Sequence, residues 1–242
     1  MKATITGING FIGSALNKRL LREGWSVYPM LRPDVDYVFL FGSPSSDHWF
    51  RYAMSYCFRE TIGNFISAID FCKVNKIKLI YPSSATVYEK TTPYSKCKAI
   101  LDDIASCYDN ILGLRIFAGY GPGEGHKEEY ASIVYKFVNS IVKGERPEIW
   151  GDGTQSRDFI FIDDIVDAIL ESKQKTGFVD IGTGKSTSFN KVIEIINKMV
   201  PKRINPIYLK RPDHYIEETV CLHPCAYKIS LEEGIKRILN NL

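Results

Sequence analysis

The sequence predicts an α/β fold: a doubly wound parallel sheet, with a small C-terminal part beside it. Three observations carry that reading. Strand and helix signals alternate from the first residues, which is the rhythm of successive βαβ units. The run Tyr37-Val38-Phe39-Leu40-Phe41 is continuously apolar, as a strand covered on both faces must be. Gly7, Gly10 and Gly13, spaced three apart, join the first strand to the first helix.

Taken in order, Ala3 to Ile5 is a short buried strand, and residues 11–23 form a helix with Ile12, Leu16, Leu20 and Leu21 on one face. Gly24 leads into a second strand that Pro29 keeps short, because proline cannot donate to a ladder. After the apolar strand a long helix is expected over 48–74, a strand over 77–81, a helix from Pro93 to 107 and a strand over 111–117. The stretch 119–153 is rich in Gly, Glu and Lys, carries one helix near 131–143, and reads as leaving the sheet. Residues 158–162 return as a strand, and Asp163 or Asp164 caps the helix after it. This places a dinucleotide-binding domain at 1–117 and 154–183, and a substrate-binding part at 118–153 and 184–242.

The 242 residues are 45% hydrophobic and 24% charged, enough for a real core without staples. A formal net charge of +3 suits small anionic ligands and falls short of a nucleic-acid binder's basic footprint. The first residues run straight into a strand without a secretory pattern, and no apolar run reaches the roughly 18 residues of a membrane helix, so a cytoplasmic protein with no membrane partner is expected. In that setting the six cysteines read as reduced thiols. Cys221, His223 and Cys225 lie close together but lack zinc-knuckle spacing, so no metal is expected.

The glycine loop Thr6-Gly7-Ile8-Asn9-Gly10-Phe11-Ile12-Gly13 divides its work. Gly7 permits the tight turn, Gly10 lets the backbone approach a pyrophosphate, and Gly13 lets helix and strand pack closely. The helix N-terminus adds unpaired N–H groups and a partial positive charge. Candidate cofactor contacts are Gly7, Asn9, Gly10, Phe11, Ile12 and Gly13, joined by Phe41, Gly42 and Ser43 after the apolar strand. The carboxylate that should bind the adenosine ribose about 20 residues on is missing; Leu31 and Arg32 stand there instead. An arginine there can meet a 2′-phosphate, so NAD and NADP both stay open.

Pro93 starts a helix on which Tyr94 and Lys98, four apart, share a face. A free phenol has a pKa near 10, so its use as a base near neutrality requires a stabilised phenolate; Lys98 and an oxidised nicotinamide are the expected sources. Upstream, Tyr81-Pro82-Ser83-Ser84-Ala85-Thr86-Val87-Tyr88 ends a strand, where an open α/β sheet places its ligand. A hydroxyl there can hold a substrate oxygen while Tyr94 takes or returns its proton.

On these motifs the chain resembles the extended short-chain dehydrogenases/reductases, specifically the NAD-dependent epimerase/dehydratase family with its Rossmann sheet. Leu114-Arg115-Ile116-Phe117 followed by Tyr120-Gly121-Pro122, the segment from Trp150-Gly151-Asp152-Gly153 to Arg157-Asp158-Phe159-Ile160, and Arg211-Pro212-Asp213 extend the likeness along nearly the whole chain. The resemblance implies Ser84, Tyr94 and Lys98 as the catalytic trio, and Tyr94 and Lys98 also as cofactor contacts. It implies substrate contacts from Ser84, Thr86, Tyr94, Arg157, Arg211 and Asp213, the arginines holding the diphosphate of a nucleoside-diphosphate sugar. A fork-shaped guanidinium suits that task. The wording Ser-Ser-Ala-Thr-Val-Tyr is similar to UDP-galactose 4-epimerases and lacks the acidic residue that 4,6-dehydratases carry after the serine. The expected reaction is 4-epimerisation through a 4-keto sugar with bound NAD; a one-way NAD(P)H-dependent 4-keto-sugar reductase and a low-turnover dinucleotide-binding sensor or subunit are the alternatives. By analogy a homodimer is expected. Between the second strand and Tyr37 only residues 33–36 remain, so one βα unit of the family pattern looks deleted.

Overall fold

The computed structural model describes residues 1–212 and 215–242. Its elements in chain order are β1 (Lys2–Thr6), α1 (Phe11–Arg22), β2 (Ser26–Tyr28), β3 (Tyr37–Leu40), α2 (Asp47–Tyr52), α3 (Met54–Asn75), β4 (Lys78–Ser84), α4 (Pro93–Ala105) and β5 (Ile111–Ile116). There follow β6 (Ala118–Tyr120), α5 (Ile133–Val142), β7 (Glu148–Trp150), β8 (Ser156–Phe161), α6 (Ile162–Ser172), β9 (Gly177–Ile181), β10 (Ser186–Ser188), α7 (Phe189–Asn197), β11 (Ile207–Leu209) and α8 (Leu231–Leu239). The chain divides into two compact units, Met1–Ile116 with Val166–Asp180, and Phe117–Ile165 with Ile181–Leu242.

The first unit is built on a six-stranded sheet in the order β2-β1-β3-β4-β5-β9. β1 runs parallel to β2 and to β3, and β3, β4 and β5 continue in parallel. Ala3, Ile5, Val38, Phe39, Leu79, Ile80, Leu112 and Leu114 are all buried, as the apolar runs require of strands covered on both faces. α3 packs Phe65, Ala68, Ile69 and Cys72 into the same core as Val38 and Tyr81. The expected helix over 48–74 is interrupted at Ala53, whose backbone (φ −133°, ψ 46°) leaves the helical region and separates α2 from α3.

β2 is the edge strand, so the missing βα unit is visible in the fold. Residues 29–36 cross from the outer side of β1 to its inner side without a helix. A clip of charge holds this short link. Lys2 N donates to Asp36 Oδ2 at 2.8 Å, Asp36 N to Lys2 O at 2.9 Å, and Lys2 Nζ meets Asp34 at 3.0 Å.

The second unit holds a three-stranded sheet, β10-β8-β6, and a two-stranded one, β11-β7. Here the observed boundary departs from expectation. Residues 154–165 sit in this unit, because β8 pairs with β6 and β10 instead of joining the parallel sheet, whose sixth strand is β9. Asp158, fully buried on β8, anchors the arrangement. It accepts from Thr183 N (2.8 Å), Thr183 Oγ1 (2.6 Å), Gly184 N (2.8 Å) and Cys221 N (3.0 Å), which ties two loops to one carboxylate. Among the described residues no helix is long and apolar enough to cross a membrane, and no group of His, Cys, Asp and Glu could hold a metal ion.

Candidate active site

The glycine turn is shaped by backbone packing. Gly7 has φ +68°, a conformation that favours glycine, and Gly10 N closes the turn on Gly7 O at 2.8 Å. A Cβ added at Gly7 would lie 2.7 Å from Gly42 Cα and N, and one at Gly13 would lie 2.2 Å from Gly7 O. No side chain tolerates either approach. The contact between Gly7 and Gly42 lies just beyond β1 and β3, where the strand order reverses, and an open α/β sheet binds its ligand in that crevice. At the start of α1 no side chain caps the helix and no acidic residue stands in the first turn. The turn therefore fits a pyrophosphate, which needs close backbone approach, donors and no competing carboxylate. Asn9 is exposed at its rim, Phe11 and Ile12 are half-buried, and Phe41 stacks on Phe39 before Gly42 and Ser43.

Arg32 and Leu31 do not extend this cradle. Arg32 grips Asp34 with two nitrogens, at 2.9 and 3.3 Å, and its guanidinium lies 4.2 Å over the Tyr28 ring. Asp34 also meets Lys2, the first residue of β1, at the strand end opposite the glycine turn. Arg32 and Lys2 hold the Asp34 carboxyl well below the ordinary carboxylate range. Leu31 packs against the cluster of Val35 and Val38. The short link turns the chain back, so a carboxylate two residues on captures the arginine that the sequence reading offered to a 2′-phosphate.

The candidate catalytic side chains converge at the end of β4. Thr92 caps α4 through the Ser95 N–H (3.2 Å), Ser95 Oγ answers the Thr92 N–H (2.9 Å), and Pro93 occupies the first turn. This fixes where α4 begins and hence which residues face β4. Ser84 Oγ accepts from Thr86 N (3.2 Å) and Thr86 Oγ1 (3.0 Å), and is hydrogen-bonded to the Tyr94 phenol. Lys98, 2% exposed, donates from Nζ to Pro82 O at 2.8 Å and lies 5.8 Å from the Tyr94 ring centroid. Ser84, Thr86, Tyr94 and Lys98 are thus brought together.

Their electrostatics differ from the sequence expectation. Burial pushes the Tyr94 phenol up to about 12, with the Ser84 hydrogen bond acting in the opposite direction. Burial also pulls Lys98 down to about 8, against the opposing influence of Cys97 and Asp102. The ammonium points at a carbonyl, and desolvation of the phenol outweighs it. Near neutral pH Tyr94 holds its proton and is a donor. Sequence reasoning expected a helix from residue 48 but missed that its first turns pack on Tyr94: Phe50 meets the Tyr94 ring edge-on at 5.4 Å, and the Asp47 charge acts on the phenol. Arg51 Nε pairs with Asp47 Oδ2 at 2.7 Å, while Oδ1 is buried without a hydrogen-bond partner among the described residues. Ser46 caps α2 by accepting from Trp49 N, and nothing local in the sequence pointed that helix at Tyr94.

In the second unit, Arg157 donates to three backbone carbonyls: Ser156 O (2.7 Å), Ile216 O (2.8 Å) and Glu217 O (3.3 Å). It lies 5.5 Å from both the Phe189 and the Tyr215 ring centroids. Arg211 is paired with Glu217 and faces the same Tyr215 ring. Asp213 lies outside the described residues. A cavity of about 400 Å³ is lined by the same Phe189 and Tyr215, with Phe137, Arg146 and Trp150 among others.

The family model for NAD dependent epimerase/dehydratases matches residues 29–181. The chain belongs to the NAD-dependent epimerase/dehydratase family. Within this epimerase/dehydratase family it is similar to a UDP-glucuronate 4-epimerase of Thermodesulfobacterium geofontis, 31% identical over 164 residues that cover 62% of this chain and 50% of that protein. It is also similar to an ADP-L-glycero-D-manno-heptose-6-epimerase of Brachyspira hyodysenteriae, 33% identical over 171 residues, 60% of this chain and 53% of that one. The chain spans about half the length of the curated relatives it matches. In fold it resembles a UDP-glucose 4-epimerase of Thermotoga maritima solved with UDP-glucose, with a TM-score of 0.89 and 20% identity, covering 100% of this chain and 98% of that one. The family match begins after the glycine turn, so the turn rests on its own geometry.

Proposed function

We propose that this epimerase/dehydratase-family chain is an enzyme that inverts C4 of a nucleoside-diphosphate sugar and keeps NAD bound throughout. The observation that carries the reading is the convergence of Ser84, Tyr94 and Lys98 at the end of β4. The turn of Gly7, Gly10, Gly13 and Gly42 would hold the dinucleotide's pyrophosphate. When bound, the nicotinamide supplies a hydride acceptor and, in its oxidised form, a positive charge that favours the phenolate. Ser84 Oγ would orient the sugar 4-hydroxyl, with its own rotamer set by Thr86. Tyr94 Oη would take the proton from that hydroxyl as C4 gives up its hydride, and would return the proton to the ketone oxygen once the 4-keto sugar has turned to take the hydride back on its other face. Lys98, anchored on Pro82 O, would keep a positive charge beside the phenol. Arg157 and Arg211 would hold the diphosphate, with Tyr215 and Trp150 offering rings to the base. The engagement of Arg32 by Asp34 favours NAD over NADP, since a 2′-phosphate would have to displace a carboxylate. A homodimer through α3 and α4, which expose Tyr56, Ile66 and Ile100, belongs to the same proposal and is checked by light scattering.

The test is direct. The purified chain is incubated with NAD and UDP-, dTDP- or GDP-sugars while 340 nm absorbance and product stereochemistry are followed. C4-inverted product without net absorbance change supports the reading, and Tyr94→Phe should abolish it with dinucleotide binding intact. A keto-reductase is favoured by one observation, the proton held on Tyr94 near neutrality, and would show stoichiometric NADPH consumption with a 4-keto sugar. Binding of dinucleotide with no turnover of any nucleotide sugar would refute both.

A further inference from the structure

Helix α4 meets the sheet at three rungs spaced four residues apart. Tyr94 reaches Ser84, Lys98 reaches Pro82 O, and Asp102 accepts from Tyr81 Oη at 2.7 Å. The third rung is doubled from the next strand, where Arg115 Nε donates to Asp102 Oδ2 at 2.9 Å. Asp102 is 6% exposed, and both its oxygens are partnered. A carboxylate is costly to bury, so an asparagine or glutamine would have closed the same rung more cheaply. What an amide cannot supply is a negative charge one helical turn from a buried ammonium.

We propose that Asp102 is a positioning residue for the proton-handling pair: its carboxylate holds Lys98 as an ammonium on Pro82 O, beside Tyr94, and Arg115 and Tyr81 hold that carboxylate in place. The proposal rests on the reading of Tyr94 and Lys98 as the reactive pair. The charged and titratable groups around Lys98 are Tyr94, Cys97 and Asp102 on its own helix, Tyr81 from β4, Arg115 from β5, and Cys57 of α3, which shares a cluster with Cys97 and Tyr94. Cys97 and Tyr81 are pushed up by burial and stay neutral near pH 8, so Asp102 is the formal negative charge in this set. Arg115 tempers it through the 2.9 Å ion pair, and the same guanidinium also lies 4.3 and 5.0 Å from the Phe178 and Tyr88 ring centroids.

Competitive labelling of the full chain with trace acetic anhydride, read by mass spectrometry of the Lys98 peptide as pH is varied, measures the ammonium without needing turnover. A chain that labels as expected but inverts no sugar would therefore sink the proposed function and leave this inference standing. Lys98 in the unaltered chain should half-label near pH 8. Asp102→Asn should lower that midpoint by ~1 unit or more, roughly tenfold in the protonation equilibrium, and Asp102→Glu should restore most of it. A merely scaffolding Asp102 predicts the opposite sign, because a loosened helix would hydrate Lys98 and raise its midpoint toward that of a free lysine. An unchanged or raised midpoint in Asp102→Asn overturns the proposal. Should that variant fail to fold, Tyr81→Phe decides. It removes one neutral rung and should leave the Lys98 midpoint in place, whereas a clear rise would assign Asp102 to scaffolding alone.

Discussion

Substituting Gly7 by alanine isolates the tightest feature of the candidate cofactor turn. Two penalties add. An alanine at φ +68° takes a left-handed conformation that costs an L-residue about 1–2 kcal/mol. The new Cβ, 2.7 Å from Gly42 Cα and N, meets backbone that cannot swing aside as a side chain would, and overpacking of that kind costs about 1–3 kcal/mol. The sum is about 3 kcal/mol, which for a chain of this size lowers Tm by roughly 6–12 °C. Two companion variants separate the penalties. Gly24 has φ +78° with nothing within 4 Å of its Cβ position, so Gly24→Ala should show only the conformational part, about 1 kcal/mol. Gly63 sits inside α3 with open space at its Cβ, so Gly63→Ala should stabilise by about 0.5–1 kcal/mol. Thermal unfolding followed by circular dichroism gives all three values, and quenching of intrinsic fluorescence gives dinucleotide affinity. Gly7→Ala should lose affinity at temperatures where it is fully folded, and Gly24→Ala should not. A Gly7→Ala chain with the unaltered Tm and affinity would refute the assignment of this turn as the cradle.

Lys98→Met should change how stability depends on pH. The folded pKa near 8 lies below the unfolded value of 10.5, so between them the unfolded chain binds more protons and Lys98 makes stability rise with pH, by on the order of 3 kcal/mol at most; urea titrations at several pH values should show that rise vanish in the variant. Tyr94 has the opposite sign above pH 10, because its raised pKa near 12 leaves the folded state with the extra proton, and Tyr94→Phe should flatten the fall in stability there in the same titrations. Asp158→Ala leaves two buried N–H groups of 183–184 and that of Cys221 without their acceptor, and should destabilise by about 3–5 kcal/mol, measured by urea unfolding; a loss under 1 kcal/mol would mean these loops satisfy themselves otherwise. Arg211→Gln should weaken UDP binding at least tenfold by calorimetry with Tm changed little, because the guanidinium pairs with an exposed carboxylate on Glu217 and faces the Tyr215 ring, contacts that contribute little to stability.

Much of the fold was written in local signals. The apolar runs of β3, β4 and β5 admit only strands covered on both faces. The spacing of Gly7, Gly10 and Gly13 marks a strand–turn–helix whose glycines serve close approach, and Pro93 marks where α4 starts. The four residues left between Arg32 and Tyr37 announced an absent βα unit, and β2 duly ends the sheet as an edge strand. The pairing of Tyr94 with Lys98, the candidate proton-handling set, was legible because the two share a helix face by periodicity alone. Tertiary structure decided what periodicity cannot encode. β8 reads as another apolar strand, yet it pairs with β6 and β10, since pairing partners depend on distant chain and on the buried Asp158. Arg32 faces Asp34 and Tyr28 because the direction of a short link is set by what its ends must reach. The protonation of Tyr94 and Lys98 follows from how deeply the fold buries them, and desolvation is a property of every surrounding atom at once, which no spacing of residues along one chain can state.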